Sequence, residues 1–205
     1  DVLPKLSQLP VSNISIVETI SYVKLNSFSR IMLTKPQGLE ENKLYGLMQG
    51  YVVAGIAKIQ NNQLYGYLTS DQVCRFSVFI GKNKAPGIAL GMGENDMLVK
   101  FIPKWLKLKV GDKVINSGLE DIFFANIPVG IVTRIEVQSS YTVAYIKTYS
   151  DVYHPETFFL INDAKATLAE GFDSKDTKLV SVIPAPISNP EQNASSLIPG
   201  VIEKD

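Results

Sequence analysis

Apolar and polar positions along this chain repeat at short intervals and mostly with a period of two, the spacing of a strand with one buried face. Ile14, Ile16 and Ile20 share one parity in N-I-S-I-V-E-T-I-S-Y-V, and Thr19 and Tyr22 are good strand residues. A short strand follows over 30–34 and ends at Lys35-Pro36-Gln37-Gly38, a turn with Pro and Gly well placed. A brief helical turn is allowed over 39–45. Strand-like runs come next over 46–53, 54–59, 64–69 and 73–80, with Asn61-Asn62 as a hairpin turn because Asn tolerates a left-handed backbone. Beyond the Lys82-Asn83-Lys84 turn, strands are predicted over 97–102, 113–115, 131–137, 141–149 and 157–161.

Runs of about 5–8 residues, with turn signals every 8–12 or so and no long amphipathic helix between them, predict an all-β sandwich or barrel. The periodicity does not say where one unit ends. Two blocks of comparable size suggest two small β-barrels in tandem: 14–80 for the first, open to completion by a late strand, and 81–165 for the second. Residues 1–13 hold Pro4 and Pro10 without a sustained period and read as a linker. Residues 166–205 turn polar and Pro-rich and read as a flexible tail.

The stretch from Lys109 to Val132 is the most ordered in its signals. Gly111-Asp112 is a tight turn, Lys113-Val114-Ile115 a short strand broken by Ser117-Gly118, and Pro128 opens the strand that begins Val129-Gly130-Ile131. The sequence G-D-x-V, then S-G-L, then a loop holding a Phe, then P-V-G-x-V resembles the second half of the MreC family, the bacterial rod shape-determining proteins. Two positions depart from the family pattern: Ala125 follows the loop Phe where Pro is usual, and Asn116 precedes Ser-Gly where Thr is usual. The resemblance covers roughly 16–165. It implies a double β-barrel on the periplasmic side of the inner membrane, anchored by an N-terminal segment that precedes these residues. It further implies a non-enzymatic scaffold of the cell-elongation machinery that organises peptidoglycan synthesis. Its implied partners are MreB, MreD, RodA and a class B penicillin-binding transpeptidase, and it implies dimeric self-association.

Composition narrows the function classes. Twenty basic and twenty acidic residues give no net charge, which argues against nucleic-acid binding. Lys104, Lys107, Lys109 and Lys113 form the one notable basic cluster, read as solvated strand edges that discourage aggregation. Chemistry finds little footing. Cys74 is the only cysteine and His154 the only histidine, so no thiolate or imidazole cluster for a metal can form, and no cofactor is expected. No G-x-G-x-x-G accompanies Gly87, Gly91 and Gly93.

Ser117 and Cys74 are the nominal nucleophiles of a chymotrypsin-like two-barrel hydrolase, the main alternative. The nucleophile loop of that family is absent, and its His comes early in the chain rather than late. A periplasmic secretion or efflux adaptor is a second alternative, but no stretch is long enough for its helical hairpin. With nine Tyr and nine Phe, aromatic side chains are the best positive clue to partner binding. The candidates are Phe123 and Phe124 in the 119–127 loop, one plugging a barrel end and the other exposed, and Tyr141, Tyr145 and Tyr149 along one strand face.

Overall fold

The computed structural model describes residues 13–24, 27–93, 96–151 and 153–164. They form twelve strands: β1 (Ile14–Lys24), β2 (Ser27–Leu33), β3 (Tyr45–Gln49), β4 (Val52–Gln60), β5 (Gln63–Leu68), β6 (Arg75–Ile80), β7 (Ala85–Gly91), β8 (Asp96–Ile102), β9 (Lys113–Asn116), β10 (Pro128–Val137), β11 (Thr142–Thr148) and β12 (Thr157–Ile161). Two closed barrels of six strands result, in the neighbour orders β1-β12-β3-β4-β5-β2 and β10-β11-β8-β7-β6-β9. Closure satisfies the strand edges that an open sheet leaves to solvent.

The boundary differs from the one expected at residue 80. β6 pairs with β7 from Arg75↔Leu90 to Ile80↔Ala85 and with β9, and so belongs to the second barrel. β12 pairs with β1 and β3 and closes the first barrel. The second barrel is thus inserted between β5 and β12 of the first. Over 39–45 the chain makes turns and enters β3 at Tyr45, with no helical turn. Of the linker over 1–13 only Asn13 is described, and the tail over 166–205 lies outside the described residues.

Alternation sets the cores. β6 buries Phe76, Val78 and Ile80, while β8 buries Met97, Val99 and Ile102. One core joins Val17, Ile31, Leu33, Leu47, Leu64, Phe158 and Leu160 within the first barrel. The other fills the second barrel and continues across the junction to Met48, Val53, Ile56 and Tyr67 of the first.

The crossing over 69–74 is fastened at both ends. The Gly93 amide donates to Ser70 O (2.7 Å), and Gly91 and Cys74 amides donate to Cys74 O and Asp71 O at 3.1 and 2.9 Å. Gly91 is required there, since a Cβ would lie 1.9 Å from Asp71 O. Asp71 is buried and accepts from Arg30 Nε and Nη2 (3.2 Å each), Ser29 Oγ (3.1 Å) and the Val73 amide (2.8 Å). This forked, charge-assisted arrangement ties the crossing to β2. The return crossing is held by Gln49, whose amide group accepts from the Asp151 amide and donates to the carbonyls of Asp151 and His154.

Candidate partner-docking surfaces

Phe123 and Phe124 are both buried, at 2% and 7% exposure, so neither is offered to a partner. The loop between β9 and β10 folds inward because its ends are pinned. Gly118, at φ +70°, is packed against Ala125, and the Asn126 amide donates to Asn116 O at 2.9 Å. The Phe123 ring then meets Phe76 edge-on, centroids 5.5 Å apart, and reaches Gly46 of β3. The expected docking loop is a staple between the barrels. Sequence spacing alone could not distinguish a loop that plugs a junction from one that faces solvent.

The tyrosine face is only partly available. Thr142, Ala144 and Ile146 are buried in the second barrel, and of the odd positions Val143 is buried too, Tyr145 is partly buried and Lys147 is exposed. Tyr145 lies under the Arg134 guanidinium (3.8 Å to the ring centroid), and its hydroxyl donates to Glu136 Oε2 at 3.3 Å. Tyr141 is half-buried, its ring 5.0 Å from Phe101, whereas Tyr149, just past β11, is 41% exposed.

A second exposed apolar surface lies on β1 and β2. Val17 is the inward residue of β1, and the even positions Ile16 and Ile20 face solvent at 67% and 61% exposure. β12 pairs with β1 only over 14–18, and β5 pairs with β2 only from Arg30 onward. Beyond those points β1 and β2 continue as a two-stranded ribbon carrying Tyr22, Val23 and Phe28. Tyr22 and Phe28 meet edge-to-face at 5.2 Å. The signal was present in the sequence: Glu18 and Lys24 share the parity of Ile16 and Ile20, which marks that face as the wet one.

The nominal nucleophiles are not arranged for attack. Cys74 is fully buried, and desolvation, reinforced by Asp71, pushes its thiol well above the ordinary range. Ser117 Oγ sits 2.7 Å from Ser77 Oγ, and the exposed His154 places Nδ1 2.7 Å from Asp151 Oδ2. No group of three or more His, Cys, Asp or Glu able to hold a metal occurs among the described residues. Nor is any helix among them long and apolar enough to cross a membrane.

A family description, the barrel core of the rod shape-determining protein MreC, matches residues 35–162, more than half of the chain. The chain belongs to the MreC family. The matched segment begins after β2, so the apolar ribbon lies outside it. Solved structures of the family superpose well. The MreC of a complex with the penicillin-binding protein PBP2 from Helicobacter pylori is 28% identical, with a TM-score of 0.66 over 72% of this chain and 98% of that one. MreC from Pseudomonas aeruginosa is 21% identical, with a TM-score of 0.61 over 72% and 98%. The major periplasmic domain of a cell shape-determining filament MreC is 18% identical, with a TM-score of 0.61 over 73% and 95%; these last two show the fold alone. No curated protein sequence matches this one. Family membership makes the chain a cell shape-determining protein built on two β-barrels.

Proposed function

We propose that this chain is a periplasmic scaffold that binds and orients a class B penicillin-binding transpeptidase, acting by contact rather than by chemistry. The observation that carries this is the similarity, over 72% of this chain and 98% of the other, to an MreC whose structure is a complex with PBP2. The docking surface is the β1–β2 ribbon, where Ile16, Ile20, Tyr22 and Phe28 are exposed apolar side chains of the kind partner contacts bury, interspersed with Glu18 and Lys24. An anchor at the inner membrane preceding residue 1, self-association as a dimer, and contacts with RodA, MreD and MreB complete this reading, on the family resemblance.

The test is direct binding of the chain to the periplasmic part of the same bacterium's class B penicillin-binding protein, beside an Ile20→Asp/Phe28→Asp variant. Both side chains are exposed, so the variant should keep the wild-type urea midpoint and lose at least about tenfold in affinity, as removal of central apolar anchors does. Equal binding by both proteins would move the interface off the ribbon. Absence of binding by the wild type would remove the transpeptidase as a direct partner.

A further inference from the structure

The chain as a whole carries no net charge, yet Lys100, Lys104, Lys107 and Lys109 fall within ten residues that contain no acid. This stretch leaves β8 and runs toward β9. Its turn is closed by the Leu106 amide donating to Pro103 O (3.1 Å), and Lys104 Nζ donates to Ser139 O (3.1 Å) in the neighbouring β10–β11 turn. After the turn the chain is extended and alternates. Leu106 and Leu108 pack against the core, while Trp105, Lys107 and Lys109 face outward. Trp105 is 81% exposed and Val110 66%.

Phe101 joins this surface through a distortion of the sheet. Val99 pairs with Ala144 and Ile102 with Thr142, so two residues of β8 oppose the single Val143. Within this bulge Phe101 takes φ +64°, a left-handed backbone that bulky residues seldom adopt. Its ring is thereby turned out to 57% exposure against Tyr141. Two acids of the same barrel are engaged: Asp112 Oδ2 accepts the Lys109 amide (2.8 Å), and Glu136 meets Arg134 (3.0 Å) and Tyr145.

We propose that the segment from Phe101 to Lys109 docks onto an anionic bilayer surface. Trp105 and Phe101 would enter the headgroup region, and Lys107 and Lys109 would lie over lipid phosphates. An outward aromatic turn followed by a tier of lysines matches the layering of that interface, where aromatic rings sit at headgroup depth and cations meet anionic headgroups. The charge complementarity is local, which is why a neutral chain can carry it.

Trp105 is the only tryptophan, so its fluorescence reports this site alone. The full chain is titrated at low ionic strength with vesicles of phosphatidylglycerol mixed with phosphatidylcholine, and separately with phosphatidylcholine alone. The expected result is a blue shift of the emission, with co-sedimentation, on the anionic vesicles only. Lys107→Gln/Lys109→Gln should weaken binding by about 25-fold, taking about fivefold per lysine, with an unchanged urea midpoint. Trp105→Ala, followed by sedimentation, should also bind more weakly. Unshifted emission with anionic vesicles, equal binding to both vesicle types, or a shift that appears only with the penicillin-binding protein would each overturn the proposal. None of these outcomes bears on the β1–β2 ribbon.

Discussion

The Phe123 ring lies so close to Gly46 that a Cβ added at residue 46 would stand 2.7 Å from it and from the carbonyl oxygen of Ile122. Since the carbonyl belongs to backbone, Gly46→Ala cannot be relieved by a side-chain rotation alone. It should cost about 1–3 kcal/mol, the range for overpacking, and Phe123→Ala about 3–5 kcal/mol. The double variant should be less destabilised than the sum, because deleting the ring removes half of the clash. Urea unfolding midpoints of the three proteins measure this coupling. Strict additivity would mean that the staple does not join the barrels energetically.

Arg30→Met leaves the Asp71 carboxylate buried with two neutral donors. A buried pair broken on one side costs about 3–5 kcal/mol. Arg30 is one-third exposed, so screening by water brings the expected loss to about 2–3 kcal/mol. Asp71→Asn should cost less than Arg30→Met, since an amide can keep the Val73 and Ser29 contacts. Thermal unfolding at neutral pH ranks the two.

Cys74 should resist thiol reagents at pH 8 in the native protein and react promptly in urea. Desolvation holds the thiol in its neutral form, and the neutral form is a poor nucleophile. As the only cysteine, it makes labelling a clean measure of opening of the second barrel. Fast labelling without denaturant would show that this barrel opens on its own.

The Asp151 carboxyl is held below its ordinary range, first by the Tyr153 amide and then by the His154 ring. A depressed folded-state value means that the ionised form is favoured by the fold. Its contribution is present above the ordinary aspartate value and is lost as pH falls through the lowered one. The return crossing should therefore keep its arrangement at pH 5 and loosen only in stronger acid. A carboxyl titration by NMR, with Asp151→Asn as control, would follow it.

Phe101→Asn should leave stability within about 1 kcal/mol of wild type, because Asn tolerates the left-handed backbone that Phe101 strains to hold. It should also reduce anionic-vesicle binding. A large loss of stability would show that the Phe101–Tyr141 contact serves the barrel rather than the surface.

Strand positions were legible because each barrel wall imposes a two-residue period, as in Phe76-Val78-Ile80. Barrel membership was not, since β6 reads the same whichever barrel it joins and only its pairing with β7 and β9 decides. The family signal survived because glycines such as Gly118 and Gly130 answer to local geometry; a Cβ at 130 would fall 2.2 Å from Lys147 O. Exposure of particular aromatics was the least legible property. Phe123 and Phe124 are covered by residues distant in sequence, and Phe101 is uncovered by a bulge that no composition signal announces. For Ile16 and Ile20, the polar members of the same parity held the answer.

Because β12 is the last strand of the barrel that β1 begins, the first barrel cannot close as the chain is made. Its wall stands incomplete until residue 161 has emerged, and β1 and β3 wait with unpaired edges meanwhile. The inserted barrel has all six of its strands before then and can fold first, bringing Thr69 and Ser150 at its two ends together (3.5 Å between hydroxyls) and shortening the loop that the final closure must order. Vectorial synthesis and export would favour that sequence of events. A chain cut at residue 156 would carry one finished barrel and one with two adhesive edges, and aggregation would be its expected fate.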